Sequence, residues 1–194
     1  MDIEPTDIPG CYILQPRVLE DPRGSFVKTF HVPRFEELGL RTDWREEYFT
    51  VSSSNVLRGM HFQLPPAEHA KMVFCLTGEV LDVVLDLRRG SPTYGMARGF
   101  SLSAQNGRGV YLPIGCAHGF VSLSPSAGMY YKVTSVHAAA QDAGIAWHSF
   151  GFAWPVNDPL LSERDRRHPT LADFVSPFVF DPGFAGGAAP DGVR

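Results

Sequence analysis

Three side chains that can act on protons and anions lie close together in the stretch 56–71. Arg58 supplies a guanidinium, His61 an imidazole and Lys71 an ammonium. An imidazole has an ordinary pKa of about 6.5, so it is suited to remove a proton near neutral pH. The two cations are suited to bind phosphate or to stabilise negative charge that develops during a reaction. The stretch therefore predicts a site for an anionic substrate.

A second histidine follows a proline–glycine turn further along the chain. The spacing in Pro-Ile-Gly-Cys-Ala-His, residues 113–118, resembles the second sequence motif of the cupins, in which such a turn brings a histidine to the mouth of a β-barrel. The first cupin motif would carry two histidines one residue apart, but here Gln63 stands at that spacing from His61. Glu68 lies beside a proline turn, so no carboxylate is clearly placed to complete a metal-ligand set. We therefore predict a site without a metal.

The elements that position these side chains are predicted to be short strands. The 19 Gly and 16 Pro of the 194 residues separate short runs rich in Val, Phe, Tyr and Leu, which is typical of antiparallel sandwiches and barrels. Predicted strands cover 11–18, 25–30, 44–54, 56–63, 72–76, 80–87, 95–102, 109–112, 119–123 and 129–135, with a further apolar run at 144–154. Short helices are predicted at 32–39 and as a pair within 161–174. This pattern predicts an all-β fold, a jelly-roll barrel with short flanking helices in one domain.

The composition excludes several classes of partner. The net charge is -4 and the chain has no basic run, so we expect no nucleic acid as a partner. The first ten residues are acidic and broken by proline, and no run of 18 apolar residues occurs, so we expect no secretory signal, no membrane span and a cytoplasmic location. Cys11, Cys75 and Cys116 are odd in number and far apart, which predicts reduced thiols rather than a disulfide framework.

Six motifs in order along the chain resemble those of the dTDP-4-dehydrorhamnose 3,5-epimerase family. They are DPRGSF at Asp21, LRGMHFQ at Leu57, KMVFCLTGEVLDVVLDLRRGSPTYG at Lys71, PIGCAHGF at Pro113, YYKVT at Tyr130, and GIAW at Gly144 followed by LSERD at Leu161. The resemblance covers about residues 8–178. It implies a cupin jelly roll that needs no metal or other cofactor and works as a homodimer. We expect a single epimerase domain over 1–178, followed by a flexible tail over 179–194.

The resemblance also implies catalytic roles. His61 matches the base, Asp165 the carboxylate that pairs with it, and Tyr131 the proton donor. An epimerase of this type removes a proton from a carbon next to a ketone and returns one on the opposite face, which requires a base and an acid. We predict that Lys71 stabilises the enolate oxygen that forms between these steps.

Further residues are predicted to bind the substrate. Arg58 has a planar guanidinium that suits a diphosphate, and His118 matches another substrate contact. Arg23 and Phe26 match residues that the family lends across a dimer interface to the nucleotide. The remaining predicted contacts are Lys28, Glu46, Tyr48, Gln63, His137 and Asp142.

The chain departs from the family pattern where relatives hold the nucleotide and flank the sugar. Lys28 stands in place of a glutamate, Glu46-Glu47-Tyr48 in place of Gln-x-Asn, and His137 in place of a tyrosine. A Pro-x-x-Glu becomes Ala-Ala-Gln-Asp at 139–142. An ammonium only donates hydrogen bonds whereas a carboxylate accepts them, so the change at Lys28 alters which base edge is favoured. We therefore keep a hypothesis that the nucleotide or the sugar differs from the usual one.

The predicted function is a nucleotide-sugar epimerase, an isomerase that inverts C3, C5 or both in a 4-keto nucleotide sugar. Three alternatives remain open: a 3-only or 5-only epimerase acting on a non-dTDP sugar such as a GDP or CDP derivative, a 3,4-ketoisomerase, and a cupin that binds a sugar nucleotide without catalysis. Asp82 and Asp86 alternate on one strand, and one of them is expected to support the site. The other histidines, His31, His69, His148 and His168, are predicted to be surface or core residues.

Overall fold

The structure, a computed structural model, describes residues 1–184 and consists mainly of β-strands. The strands are β1 Asp2–Pro5, β2 Tyr12–Gln15, β3 Val18–Asp21, β4 Gly24–Val27, β5 Glu46–Ser53, β6 Leu57–Gln63, β7 Lys71–Thr77, β8 Glu79–Asp86, β9 Ala97–Ser103, β10 Gly109–Leu112, β11 Cys116–Ser122, β12 Ser126–Val133 and β13 Asp142–Gly144. Two short helices, α1 Val32–Glu37 and α2 Glu163–Arg166, and a 3-10 turn, Pro182–Phe184, complete the described elements. No helix within residues 1–184 is long and apolar enough to cross a membrane.

Two antiparallel sheets form the jelly roll. One has the strand order β1-β2-β10-β7-β12-β5, the other has the order β13-β6-β11-β8-β9, and β3 pairs only with β4 in a separate hairpin. Successive side chains of a strand point to opposite faces of its sheet. The inward-facing side chains of β7, β8, β11 and β12 therefore meet between the sheets, where they form an apolar core that includes Val73, Val84, Phe120 and Met129. The predicted all-β jelly-roll fold is confirmed.

The helix α1 covers the outer face of the first sheet. Pro33 lies in its first turn, where a missing backbone N–H costs nothing. Phe35 is fully buried and packs with Leu14, Met72 and Tyr111. This burial explains why such a short helix is stable: it depends on packing rather than on intrinsic helix propensity.

The structure corrects several predicted boundaries. The predicted strand 11–18 is two strands, β2 and β3, because Pro16 lacks the N–H that a continuous ladder requires. The strand β1 was not predicted, and of the apolar run 144–154 only Gly144 is in a strand. The predicted helical pair near the end contains one helix, α2, because residues 171–173 form only a turn.

The predicted tail, 179–194, begins with residues that still contact the barrel. Val179 forms a parallel bridge with Arg89, and the backbone N–H of Phe180 donates to the carbonyl of Arg89 at 2.9 Å. The guanidinium of Arg88 lies 5.2 Å from the centre of the Phe180 ring. The later part of the predicted tail, residues 185–194, lies outside the described residues.

Candidate active site

A cavity of about 320 Å³ opens between the two sheets. Its walls come from β5, β7 and β12 on one side and from β6 and β11 on the other, with loops 134–142 and the helix α2 at the rim. The predicted site residues that line it are Glu46, Tyr48, Arg58, His61, Gln63, Lys71, His118, Tyr131, His137 and Asp142. The structure therefore brings together residues that are spread over nearly a hundred positions of the sequence.

His61 and Asp165 form a hydrogen-bonded pair in which Asp165 is buried and His61 is partly exposed to the cavity. Asp165 lies in α2, whose N-cap Ser162 accepts the backbone N–H of Asp165 at 3.1 Å and so anchors the helix. The carboxylate oxygen Oδ1 lies 2.8 Å from Nε2 of His61. Because an ionised carboxylate only accepts hydrogen bonds, Nε2 of His61 donates and Nδ1 keeps its lone pair. That nitrogen is the one able to take a proton.

Burial and hydrogen bonding set the charge states of this pair. Burial lowers the pKa of His61 to about 4, against the opposing effect of the Asp165 carboxylate, so the imidazole is neutral at neutral pH. Burial alone would raise the pKa of Asp165, but its contacts with His168 and His61 lower that pKa well below the usual value. The arrangement is thus an uncharged base beside an ionised carboxylate, which can stabilise the imidazolium that proton removal creates.

A second imidazole–carboxylate pair lies next to the first. His118 on β11 is the ladder neighbour of His61 on β6, and its Nε2 lies 2.7 Å from Oδ2 of Asp82 on β8. Both residues of this pair are buried, and burial lowers the pKa of His118. Asp82 is thus the supporting carboxylate expected from the strand pattern. Asp86, in contrast, forms a separate buried ion pair with Arg88, at 2.8 Å.

Tyr131 approaches the cavity from the opposite sheet. Its ring stacks on that of Tyr48, its directly opposite neighbour on β5, with centroids 4.7 Å apart and planes 17° apart. Its hydroxyl lies 3.2 Å from Oγ1 of Thr50. Burial raises the pKa of Tyr131 far above its usual value, so the phenol keeps its proton at neutral pH and can donate it.

Two cations extend along the cavity wall. Lys71, at the start of β7, is buried, and this burial lowers the pKa of its ammonium to about 8. Within residues 1–184 no carboxylate oxygen lies within 4.0 Å of its Nζ, so its charge is available to an anion. Arg58 is held by Ser52, whose Oγ accepts from its Nε at 3.0 Å.

Two predicted contacts bind protein groups along the rim. Gln63 is buried, and its Nε2 donates to the carbonyl of Ala67 at 2.8 Å while its Oε1 accepts the backbone N–H of Ala138 at 2.6 Å. Glu46 accepts the backbone N–H of His137 at 2.7 Å. A free carboxylate at position 46 would repel a phosphate. This contact reduces the repulsion, because the backbone N–H of His137 donates a hydrogen bond to the carboxylate of Glu46.

Three predicted nucleotide contacts lie outside this cavity. Arg23 and Phe26 are in the hairpin β3–β4, and Lys28 follows it; all three are exposed. Arg23 pairs with Asp21 of the same hairpin at 2.5 Å. Within one chain these residues do not meet His61 or Lys71, so their contact with the nucleotide stays a prediction that requires a second chain.

The structure places three further titratable residues at the site that the sequence analysis did not assign to it. Arg164 lines the cavity and pairs with Asp142 at 2.5 Å. His69 also lines it, and burial lowers the pKa of this imidazole to about 3. His168 packs against His61 with ring centroids 5.6 Å apart. Spacing carried a signal for both histidines, since His69 is two residues before Lys71 and His168 is three residues after Asp165.

One group of the described residues has a spacing that suits a metal ion. A ligand atom from each of His61, Asp165 and His168 lies within 4.8 Å of the other two, so a carboxylate does stand beside His61. The same oxygen of Asp165, however, already accepts from His61 and has the guanidinium of Arg164 at 3.5 Å. A neighbouring cation repels a metal ion. Both contacts oppose metal binding at this group, and a site that works without a metal stays a prediction.

Comparisons with known proteins identify the family of the chain. A family model described as dTDP-4-dehydrorhamnose 3,5-epimerase matches residues 5–173. The curated enzyme of that name from Shigella flexneri is 41% identical over 168 residues, which is 85% of this chain and 93% of the relative. The dTDP-4-dehydrorhamnose 3-epimerase of Streptomyces niveus is 38% identical over 178 residues, 89% of this chain and 85% of the relative.

A solved structure shares the fold over almost its whole length. It is the dTDP-6-deoxy-D-glucose-3,5-epimerase of Legionella pneumophila in complex with dTDP-4-keto-L-rhamnose. Its TM-score is 0.86 at 32% identity, and the match covers 97% of this chain and 98% of that one. The chain and its relative therefore share both sequence and architecture.

Proposed function

Because the chain belongs to the dTDP-4-dehydrorhamnose 3,5-epimerase family, we propose that His61 and Tyr131 invert C3, C5 or both of a dTDP-linked 4-keto-6-deoxy sugar. The protein is an isomerase that acts on a 4-keto nucleotide sugar. The observation that carries the proposed roles is the pairing of a base and an acid on opposing walls of one cavity. His61 comes from β6 and Tyr131 from β12, which belong to different sheets.

The first step is proton removal. Nδ1 of His61 takes the proton from the carbon next to the ketone, and the electron pair of the C–H bond moves to the ketone oxygen. Asp165 stabilises the imidazolium that results, through the 2.8 Å hydrogen bond at Nε2. Lys71 supplies positive charge to the enolate oxygen, and such a preorganised group contributes about 3–4 kcal/mol to lowering a barrier.

The second step returns a proton to the opposite face. The phenol of Tyr131 gives its proton to the carbon, and the electron pair of the enolate re-forms the ketone. The resulting phenolate lies beside Thr50, whose hydroxyl can donate to it over 3.2 Å. Loss of one C–H proton and gain of another leaves the sugar inverted at that carbon and otherwise unchanged. Before the next turnover the imidazolium of His61 gives its proton to solvent and the phenolate of Tyr131 takes one from solvent.

The guanidinium of Arg58 is the proposed binding group for the diphosphate of the substrate. Arg58 lines the cavity with its Nε held by Ser52, which orients the guanidinium plane for bidentate phosphate binding. A dTDP-linked substrate is supported by the names of the relatives and by the ligand of the Legionella structure. The alternative, a substrate with another nucleotide, rests on Lys28, which stands where the family pattern has a glutamate.

The working unit is proposed to be a homodimer in the cytoplasm. Phe49 and Val51, two residues apart on β5, and Leu76 on β7 are exposed, with 73%, 61% and 52% of their surface accessible. Such an apolar patch favours an interface with a second copy. In such a dimer the exposed hairpin with Arg23 and Phe26 would extend to the cavity of the second copy and contact the nucleotide bound there. Cys11, Cys75 and Cys116 are buried and unpaired, as expected in a reducing compartment.

Deuterium exchange tests the activity directly. The protein is incubated in heavy water with dTDP-, GDP-, CDP- and UDP-linked 4-keto-6-deoxy sugars, and NMR follows deuterium entering at C3 and C5. Exchange at C3 alone would identify a 3-epimerase, and preference for another nucleotide would refute the dTDP assignment. Absence of exchange with every sugar would favour a binding protein.

Two variants check the remaining parts of the proposal. Exchange that survives in His61→Ala would refute the assigned base. Sedimentation of the purified protein should give a dimer and that of Phe49→Glu a monomer; a wild-type monomer would refute the interface.

A further inference from the structure

His168 lies in contact with the catalytic pair although it was predicted to be a surface or core residue. Its side chain is only 10% exposed, and its ring meets that of His61 edge to face, with 74° between the planes. Nε2 of His168 lies 3.6 Å from Oδ1 of Asp165. That oxygen is the one that accepts from His61 at 2.8 Å, so the two imidazoles flank one carboxylate oxygen.

The neighbouring strand provides a place for this ring. A Cβ atom added at Gly144 would lie 2.4 Å from Nε2 of His168, well inside any real contact distance. Gly144 is the ladder partner of His61 on β13, so the space is fixed by the strand that carries the base. The backbone N–H of Ala146 donates to the carbonyl of Pro169 at 2.8 Å, which holds the residue after His168 against the same segment.

The polar end of the ring has one near partner. Within residues 1–184, Nε2 of His168 is buried and has no hydrogen-bond partner at normal distance. A buried donor without a partner is unfavourable, and Oδ1 of Asp165 is the acceptor a small shift away. The other charged or polar groups near that carboxylate are the guanidinium of Arg164, at 3.5 Å from Oδ1, and the N–H of Gly59, at 3.4 Å from Oδ2.

We propose that the 3.6 Å contact between Nε2 of His168 and Oδ1 of Asp165 closes to a hydrogen bond. His168 is then a positioning residue, which holds the carboxylate of Asp165 in line with His61 through the oxygen that both imidazoles share. This role rests on the proposed function, because it matters only if His61 acts as the base. His168 does not line the substrate cavity. Its loss should therefore lower kcat and leave KM nearly unchanged.

Three substitutions separate positioning from packing. His168→Leu fills much of the space without an N–H group and should lower kcat for exchange about 3- to 10-fold, the effect of one lost hydrogen bond, with KM within twofold. His168→Gln keeps a donor at similar reach and should recover most of this loss. Arg167→Ala, at an exposed neighbour, is the control and should behave as the wild type. A wild-type kcat in His168→Leu would overturn the role.

Gly144 gives an independent route to the same contact. Gly144→Ala should push the ring of His168 away from Asp165 and lower kcat by a similar factor. In the background of His168→Ala, where no ring is present to be displaced, the same change should cost less than twofold. An equal cost in both backgrounds would mean that Gly144 acts without His168 and would contradict the proposal.

A measurement without substrate keeps this inference separate from the proposed function. The Nε2 proton of His61, bonded to Asp165, should give a downfield ¹H NMR signal in the wild type and in Arg167→Ala. In His168→Leu this signal should move or broaden through exchange with water. An unchanged signal would refute positioning even if turnover is not detected, whereas absence of exchange in the wild type would refute only the proposed function.

Discussion

Replacement of Asp165 by asparagine should slow the reaction without weakening substrate binding. Asp165 is 4% exposed and does not line the cavity, so we expect it to affect the reaction through its hydrogen bond to His61 and not by contact with the substrate. In Asp165→Asn the imidazolium formed on proton removal loses an ionised acceptor at 2.8 Å. A hydrogen bond to a charged group contributes about 1.5–3 kcal/mol. Since each 1.36 kcal/mol is a factor of ten in rate, kcat should fall about 10- to 150-fold.

Initial rates of deuterium entry, measured by NMR over a range of substrate concentrations, give kcat and KM separately. We expect KM to stay within about threefold of the wild type. Glu163→Gln is the matched control, because Glu163 lies in the same helix α2 with its side chain 80% exposed. Thermal melting of both variants checks that α2 remains folded, since Asp165 also accepts the N–H of Gly59.

The result that would refute this reasoning is a wild-type kcat in a folded Asp165→Asn protein. It would mean that the neutral imidazole alone suffices as the base. A large rise in KM with an unchanged kcat would also contradict the pairing, because it would place Asp165 in substrate binding. Equal losses in Asp165→Asn and Glu163→Gln would indicate a general effect on α2.

Three further predictions follow from the charges and contacts of the site. The pH profile of kcat/KM should fall below about pH 4, where His61 becomes protonated, and above about pH 8, where Lys71 loses its proton; Lys71→Arg should move the alkaline limb upward. Tyr131→Phe should still exchange the substrate proton for deuterium but should invert the sugar at least about 100-fold more slowly, as NMR of the product will show. Asp86→Asn breaks the buried pair with Arg88 and should lower the free energy of unfolding by about 3–5 kcal/mol in urea titrations, with kcat of the folded protein unchanged.

Short apolar runs bounded by turn residues made much of the fold predictable, and strand alternation made part of the site predictable. The runs 80–87 and 129–135 are predicted as strands because they are rich in apolar and β-branched residues and are bounded by Gly, Pro or Ser, and the structure has β8 and β12 there. The two-residue period of a strand places Asp82 and Asp86 on one face, and Asp82 is the one that supports the site, through His118. The roles of His61 and Tyr131 came instead from motif resemblance, since a strand pattern alone does not tell a base from a structural histidine.

Contacts that depend on docking of distant segments were beyond the sequence pattern. His168 meets His61, and Arg164 reaches the same cavity, because α2 and the residues that follow it pack against β6, about a hundred residues away along the chain. The bond between Glu46 and the backbone of His137 likewise joins a strand to a loop with no periodic pattern. Such contacts are determined by loop conformation, which local sequence specifies weakly.

The low pKa of His61 explains how one cavity can hold a base and an ammonium together. A base with a pKa of about 4 is weak at neutral pH. Burial is the main cause of this low pKa, and the charges of Arg164 and Lys71 lower it further. An anionic substrate adds negative charge to the same cavity, which favours the protonated form of each group and so raises both pKa values. The base then approaches the pKa at which proton transfer is most efficient, while Lys71 keeps its proton beside the developing enolate. The acid limb of kcat, which reports the substrate complex, should therefore lie at higher pH than that of kcat/KM, which reports the free protein.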